Sequence, residues 1–123
     1  MFALISEGLV EHARRLYARF KLPIIVTELG TATTDCDHRV IVIKNALTLL
    51  KAMLDDGIPV LGVFVWSTFD NFEWSLGNRM KFGLVHVDND SPQPTFARRL
   101  KRSGAFYHSG SIVCRCLFDF TAY

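Results

Sequence analysis

The chain has 123 residues, half of them hydrophobic, including ten Phe, three Tyr and two Trp. That much large apolar surface excludes a disordered chain and calls for a buried core. Fourteen Lys and Arg against twelve Asp and Glu leave a net charge of +2, which excludes a strongly basic nucleic-acid binder. The densest basic cluster, Arg98, Arg99, Lys101 and Arg102, reads as a solvated face without interleaved aromatics.

Leu9, Ala13, Leu16, Tyr17 and Phe20 recur at three- and four-residue spacing. The pattern predicts an amphipathic helix capped by Ser6, with Arg14, Arg15 and Arg19 facing water. Pro23-Ile24-Ile25-Val26-Thr27 is short and β-branched, and predicts a strand buried on both faces that ends at Glu28-Leu29-Gly30. A polar loop follows through Asp37. A second helix is predicted from about His38 to Asp56, with Val40, Ile43, Leu47, Leu50 and Leu54 as its stripe and Ala46 and Met53 widening it. Gly57 and Pro59 supply the stop. Val60 to Trp66 predicts a second buried strand. Helix, strand, helix, strand at this spacing implies a right-handed βαβ unit with parallel strands.

Ser67 to Lys81 is polar, aromatic and Gly-containing, and reads as a long functional loop. Phe82 to Asp88 alternates weakly, as a short strand does. Pro92 and Pro94 mark a turn, and Phe96 to Tyr107 predicts a closing helix. Residues 108–123 show no clear period and read as a divergent tail. Two strands with open apolar edges do not complete a fold, so pairing with further strands is expected.

No run of eighteen apolar residues is present, so no membrane span is expected. The segment from Met1 to Glu7 is too short and too soon acidic for a signal peptide. Cys36, Cys114 and Cys116 make neither a disulfide framework nor a paired zinc spacing, and point to a reducing, cytoplasmic compartment. His12, His38, His86 and His108 are scattered, and no metal or other cofactor is expected.

A carboxylate at a strand end, such as Glu28, is on position alone more often an ion-pair or helix-cap partner than a catalyst. The surrounding pattern changes that balance. Ile24-Ile25-Val26-Thr27-Glu28-Leu29-Gly30 resembles the I-x-I-T-E-N-G nucleophile motif of glycoside hydrolase family 1. Val65 to Trp74, which reads V-W-S-T-F-D-N-F-E-W, resembles that family's W-S-x-x-D-N-F-E-W signature. Lys81 to Asp88 resembles the R-F-G-L-x-x-V-D that follows it, and Arg98 to Tyr107 loosely resembles the closing segment. The T-E-x-G alone is weak, whereas the D-N-F-E-W block at the right distance after it is specific.

The resemblance implies an α/β chain equivalent to the C-terminal part of a (β/α)8 TIM barrel, its last two βα units, incomplete as a barrel. A whole barrel takes roughly 250 residues. Residues 1–107 would be that part of the catalytic barrel, and its partners the missing N-terminal barrel strands. The resemblance also implies a β-glucosidase-like retaining β-glycosidase acting on a β-glycoside or oligosaccharide, with Glu28 as nucleophile. Glu73 is similar to the family residue that accepts hydrogen bonds from two sugar hydroxyls, where the alternative is a solvent-facing loop carboxylate. Trp66 and Trp74 would line the same pocket, with core packing as the alternative for each. Phe82 matches a pocket wall or, nearly as well, a core position. Asp70 and Asn71 look like residues that fix the loop.

The sequence departs from the pattern at Leu29, where the family has Asn, at Asn78, where it has an aromatic, and at Lys81, where it has Arg. Nothing in the chain matches the T-x-N-E-P acid/base segment. A non-catalytic sugar-binding or receptor-like relative on the same fold is therefore a second reading, and a small α/β interaction domain a third.

Overall fold

The computed structural model describes residues 3–115. Helix α1 spans Ala3–Phe20, strand β1 Ile24–Leu29, helix α2 Cys36–Asp55 and strand β2 Val60–Val65. A 3-10 segment follows at Trp74–Arg79, then strands β3 at Val85–Val87 and β4 at Arg98–Leu100, and helix α3 at Arg102–Arg115. The chain divides into two compact units. The first takes in the residues up to Gly30 with Ile41–Val65, and the second Thr31–Val40 with the residues from Trp66 onward.

In the first unit, β1 and β2 pair in parallel across the α2 crossover. Its core is built from Val10 and Ala13 of α1, Val26 and Leu29 of β1, Ala46, Leu50 and Met53 of α2, and Ile58 and Val60. Each fully buried aliphatic side chain of this kind contributes about 1.5–3 kcal/mol. The α2 stripe is rotated from the expected one: Val42, Ile43, Ala46, Leu50 and Met53 are buried, while Val40, Leu47 and Leu54 are half-buried. On α1, Leu16 and Phe20 are exposed and Val10 takes the buried place. Ser6 is no cap. It lies buried inside α1, with its hydroxyl 3.4 Å from the Val42 carbonyl oxygen.

The strands are covered on one face only, which corrects the expectation of burial on both. Ile25, Leu61 and Phe64 are exposed, whereas Val26, Leu29 and Val60, with Ile24 and Val63 partly buried, pack with the core residues of α1 and α2.

The helix ends follow from local chemistry. Helix α2 starts at Cys36, two residues ahead of the expected His38, and Asp35 caps it, its Oδ1 accepting the amides of Asp37 at 2.8 Å and His38 at 3.2 Å. Such a cap contributes about 1 kcal/mol. At the other end Ile58 N–H donates to the Met53 carbonyl and Gly57 N–H to that of Leu54, both at 2.9 Å. This is a Schellman closure, and it places Gly57 at φ +77°, where only glycine is unstrained. The same geometry brings Ile58 and Met53 into the core together. Helix α1 closes with Lys21 in the left-handed region at φ +56°, its N–H donating to Tyr17 O at 2.9 Å.

In the second unit, β3 and β4 are antiparallel, with Val85 opposite Leu100, His86 opposite Arg99 and Val87 opposite Arg98. The strand at Arg98–Leu100 replaces the first part of the closing helix expected from Phe96. Helix α3 instead starts at Arg102 and continues unbroken past Tyr107 to Arg115, so the segment read as a tail begins as helix. The side chain of Cys114, together with Cys116 and the rest of the tail to Tyr123, lies outside the described residues. The proline turn is closed by Asp88, whose Oδ2 accepts from Thr95 N at 3.0 Å and Thr95 Oγ1 at 2.6 Å. Those bonds hold its carboxyl below the usual carboxylate range.

Among the described residues no helix is long and apolar enough to cross a membrane.

Candidate active site

Glu28 belongs to the first unit and is the penultimate residue of β1, at the strand end as expected. The β1–β2 register shifts between Val26 and Leu29, so Thr27 and Glu28 sit in an irregular stretch of strand. Such bulges re-aim side chains, and they concentrate beside active sites. Glu28 is exposed and edges a shallow cleft whose lining includes His12, Leu16 and Thr27. Leu29, which stands where the resemblance expects a polar Asn, is instead part of the apolar core.

Trp66, Glu73, Trp74 and Phe82 belong to the second unit. The Trp66-Ser67 peptide bond is cis. Ser67 N–H donates to the Phe82 carbonyl at 3.3 Å, and Leu84 N–H returns a bond to Ser67 O at 2.9 Å. This ladder holds the segments after Trp66 and Phe82 side by side. Trp66 is exposed and Trp74 is 84 % exposed, so neither belongs to the core formed by the described residues. Phe82 is half-buried.

Glu73 opens a tight turn. Its N–H donates to Gly77 O and its carbonyl accepts from Leu76 N, both at 2.8 Å. Gly77 makes the turn at φ +60°. The Glu73 carboxylate accepts from Asn71 Nδ2 at 2.7 Å, and Ser67 Oγ lies 3.4 Å from Asn71 Oδ1.

The loop is anchored by Asp70, whose side chain is wholly buried. Its Oδ1 accepts from Lys101 Nζ at 2.7 Å and from Gly83 N at 3.0 Å, and Oδ2 meets His86 Nδ1 at 3.2 Å. Burial pushes the Asp70 carboxyl up, but the hydrogen bond and charge of Lys101, with help from Gly83 and His86, outweigh it and hold it below the usual range. Gly83 is packed so closely on this anchor that a Cβ would lie 2.2 Å from Asp70 N.

Two further residues escaped the sequence reading. Lys101 is only 13 % exposed, so it is an internal counter-ion rather than part of a solvated basic face. The other members of that cluster, Arg98, Arg99 and Arg102, are exposed as expected. Arg102 pairs with Asp37 at 2.8 Å, and Arg98 lies over the Phe69 ring at 5.7 Å. Arg39 is buried and donates to the Thr33 carbonyl at 2.5 Å and to the Lys81 carbonyl. Burial lowers its affinity for a proton, against the opposing pull of Cys36 and Asp70. No spacing rule links Asp70 to partners 16 and 31 residues away. Only the place of Asp70 and Asn71 in the D-N-F-E-W block hinted at an anchor.

The model of glycosyl hydrolase family 1 matches residues 2–113. A beta-glucosidase of Agrobacterium sp. is 38 % identical over 101 residues, covering 75 % of this chain and 21 % of the relative. The chloroplastic galactolipid galactosyltransferase of Arabidopsis thaliana is 44 % identical over 100 residues, covering 80 % of this chain and 15 % of the relative. Among solved structures, the beta-glycosidase of the hyperthermophile Thermosphaera aggregans superposes with a TM-score of 0.78 at 34 % identity, over 87 % of this chain and 21 % of that one. The chain thus spans about a fifth or less of the curated relatives' length. Parallel strands joined by a helix, with no closed barrel among the described residues, define an α/β protein. The chain belongs to glycosyl hydrolase family 1.

Proposed function

We propose that the protein carrying this chain hydrolyses β-glucosides or related β-glycosides with retention of anomeric configuration, through a glycosyl-enzyme on Glu28. The reading is carried by the position of Glu28 in the irregular end of a parallel strand, inside a segment matched by the family model.

In the first step a Glu28 oxygen bonds to the anomeric carbon as the glycosidic C–O bond breaks, while a second carboxyl gives its proton to the departing oxygen. In the second step that carboxyl takes a proton from water, whose oxygen displaces Glu28. The pair stands about 5–5.5 Å apart in retaining enzymes. The second carboxyl is supplied from outside this chain, by the earlier strands of a (β/α)8 barrel whose last two βα units this chain provides. Glu73 accepts hydrogen bonds from hydroxyls of the terminal sugar, and Trp66, Trp74 and Phe82 offer apolar faces to its C–H groups.

The galactosyltransferase relative favours a variant of the second step, in which a sugar hydroxyl replaces water as the acceptor. The bond changes are otherwise the same.

Without the acid, general-acid help of roughly 10²–10⁴-fold is missing. The chain alone is then expected to be inert on cellobiose, while a dinitrophenyl β-glucoside, whose leaving group needs no proton, still reacts. Proton NMR of the first sugar released tests the stereochemistry. The β-anomer appearing first supports the reading. The α-anomer first, or cellobiose turnover by the pure chain, contradicts it.

A further inference from the structure

We propose that Asn71 is a positioning residue that sets the orientation of the Glu73 carboxylate for sugar binding. The proposal rests on the sugar-site reading of Glu73.

A carboxylate has no proton to give, so the amide end of Asn71 that meets Glu73 Oε2 at 2.7 Å must be Nδ2. The opposite end, Oδ1, then faces the Ser67 hydroxyl at 3.4 Å. That hydroxyl has a closer acceptor, the Phe69 carbonyl at 2.6 Å, and Ser67 itself is buried. Ser67 therefore forms a fixed wall behind Asn71 and leaves the amide little freedom to turn.

The backbone on either side is also held. Asp70, the residue before Asn71, is tied to Gly83, His86 and Lys101. Glu73 is locked by the turn to Gly77. With both backbone ends fixed, the remaining freedom of Glu73 lies in its side chain, and the Asn71 bond removes it.

This bond is charge-assisted and uses one carboxylate oxygen. Among the described residues Oε1 accepts no other hydrogen bond, and Glu73 keeps partial solvent exposure. The free oxygen is then presented in one orientation, which suits a pair of neighbouring sugar hydroxyls. Ordering the carboxylate before the sugar arrives lowers the entropic cost of binding.

The test uses the full chain, labelled with nitrogen-15, and glucose as the probe. In the wild type the Asn71 side-chain amide signals are expected to move when Glu73→Gln is introduced. Glucose binding, followed at the Trp74 indole N–H, is expected to weaken about tenfold or more in Asn71→Ala. Asn71→Asp puts two carboxyls in contact, which hold together only while they share a proton. Its binding is therefore expected to approach that of the wild type in acid and to fall away as the pH rises through neutrality, a dependence that a loop-stabilising role would not produce. Asn71 amide signals indifferent to Glu73→Gln, or Asn71→Ala binding glucose as the wild type does while Glu73→Gln does not, overturn the proposal alone. No response of the wild type to glucose at any concentration overturns the sugar-site reading and the proposal with it.

Discussion

Lys101 Nζ lies 2.7 Å from Asp70 Oδ1, and the two side chains are 13 % and 0 % exposed. This pair ties the start of α3 to the loop that carries Glu73. It is an internal ion pair, for which losing one partner costs more than the pair itself contributes.

Lys101→Ala is therefore expected to destabilise the second unit by about 3–5 kcal/mol, since it leaves a buried carboxylate short of its cation. Lys101→Arg, which keeps the charge, loses less. Urea unfolding of the two variants checks both the magnitude and the order. Equal stability of Lys101→Ala and wild type would contradict the anchoring role.

Asp70 also sets a pH dependence. Its folded carboxyl is held below the unfolded value, so acid favours the unfolded chain. The stability it supplies is complete above the ordinary carboxylate range and disappears as the pH falls through its lowered folded value. Denaturation midpoints measured downward from pH 6 are expected to drop, and to drop less steeply in Asp70→Asn.

Gly83→Ala is expected to be severely destabilising, by more than about 3 kcal/mol. The added methyl would meet backbone atoms of Asp70, Phe69 and Val85 at 2.2–2.6 Å, and none can swing aside as a flexible side chain would. Loss of the native near-ultraviolet circular dichroism in this variant checks the prediction.

The helix ends give two opposite effects from one rule. Gly57→Ala forces a Cβ into a backbone at φ +77° and is expected to cost about 1–2 kcal/mol. Lys21→Gly relieves the same strain at φ +56° and is expected to gain roughly 0.5–1 kcal/mol. Thermal unfolding should move down for the first and up for the second.

The helices, the parallel pair and the helix crossover were legible because their signals are local. Apolar spacing marks a helix, a β-branched run between Pro and Gly marks a strand, and Gly57 with Pro59 marks an end. The misplacements have physical causes too. Ser6 looked like a cap by type, but its position facing α2 buries it. Arg98 to Leu100 became a strand because it pairs with Val85–Val87, a tertiary contact that its polar sequence does not announce. In the site, Glu28 and the Glu73-bearing block stood out by motif. Asp70 and Asn71 within that block were read as residues that fix the loop, but the partners of Asp70 were not legible. The Asp70 anchor joins residues far apart in sequence, and a lysine within a run of basic residues carries no mark of the buried carboxylate it faces. Leu29 turned inward to the core, which the motif comparison alone could not reveal.

The most direct measurement is intact-mass and peptide mass spectrometry of the chain after incubation with 2,4-dinitrophenyl 2-deoxy-2-fluoro-β-glucoside. This leaving group departs without an acid, and the fluorine slows loss of the sugar, so a competent nucleophile is trapped as an ester. The expected result is one fluoroglucosyl group on Glu28, absent in Glu28→Gln. An adduct on another carboxylate, or no adduct from a chain whose circular dichroism shows the native fold, would contradict Glu28 as a nucleophile presented by these residues.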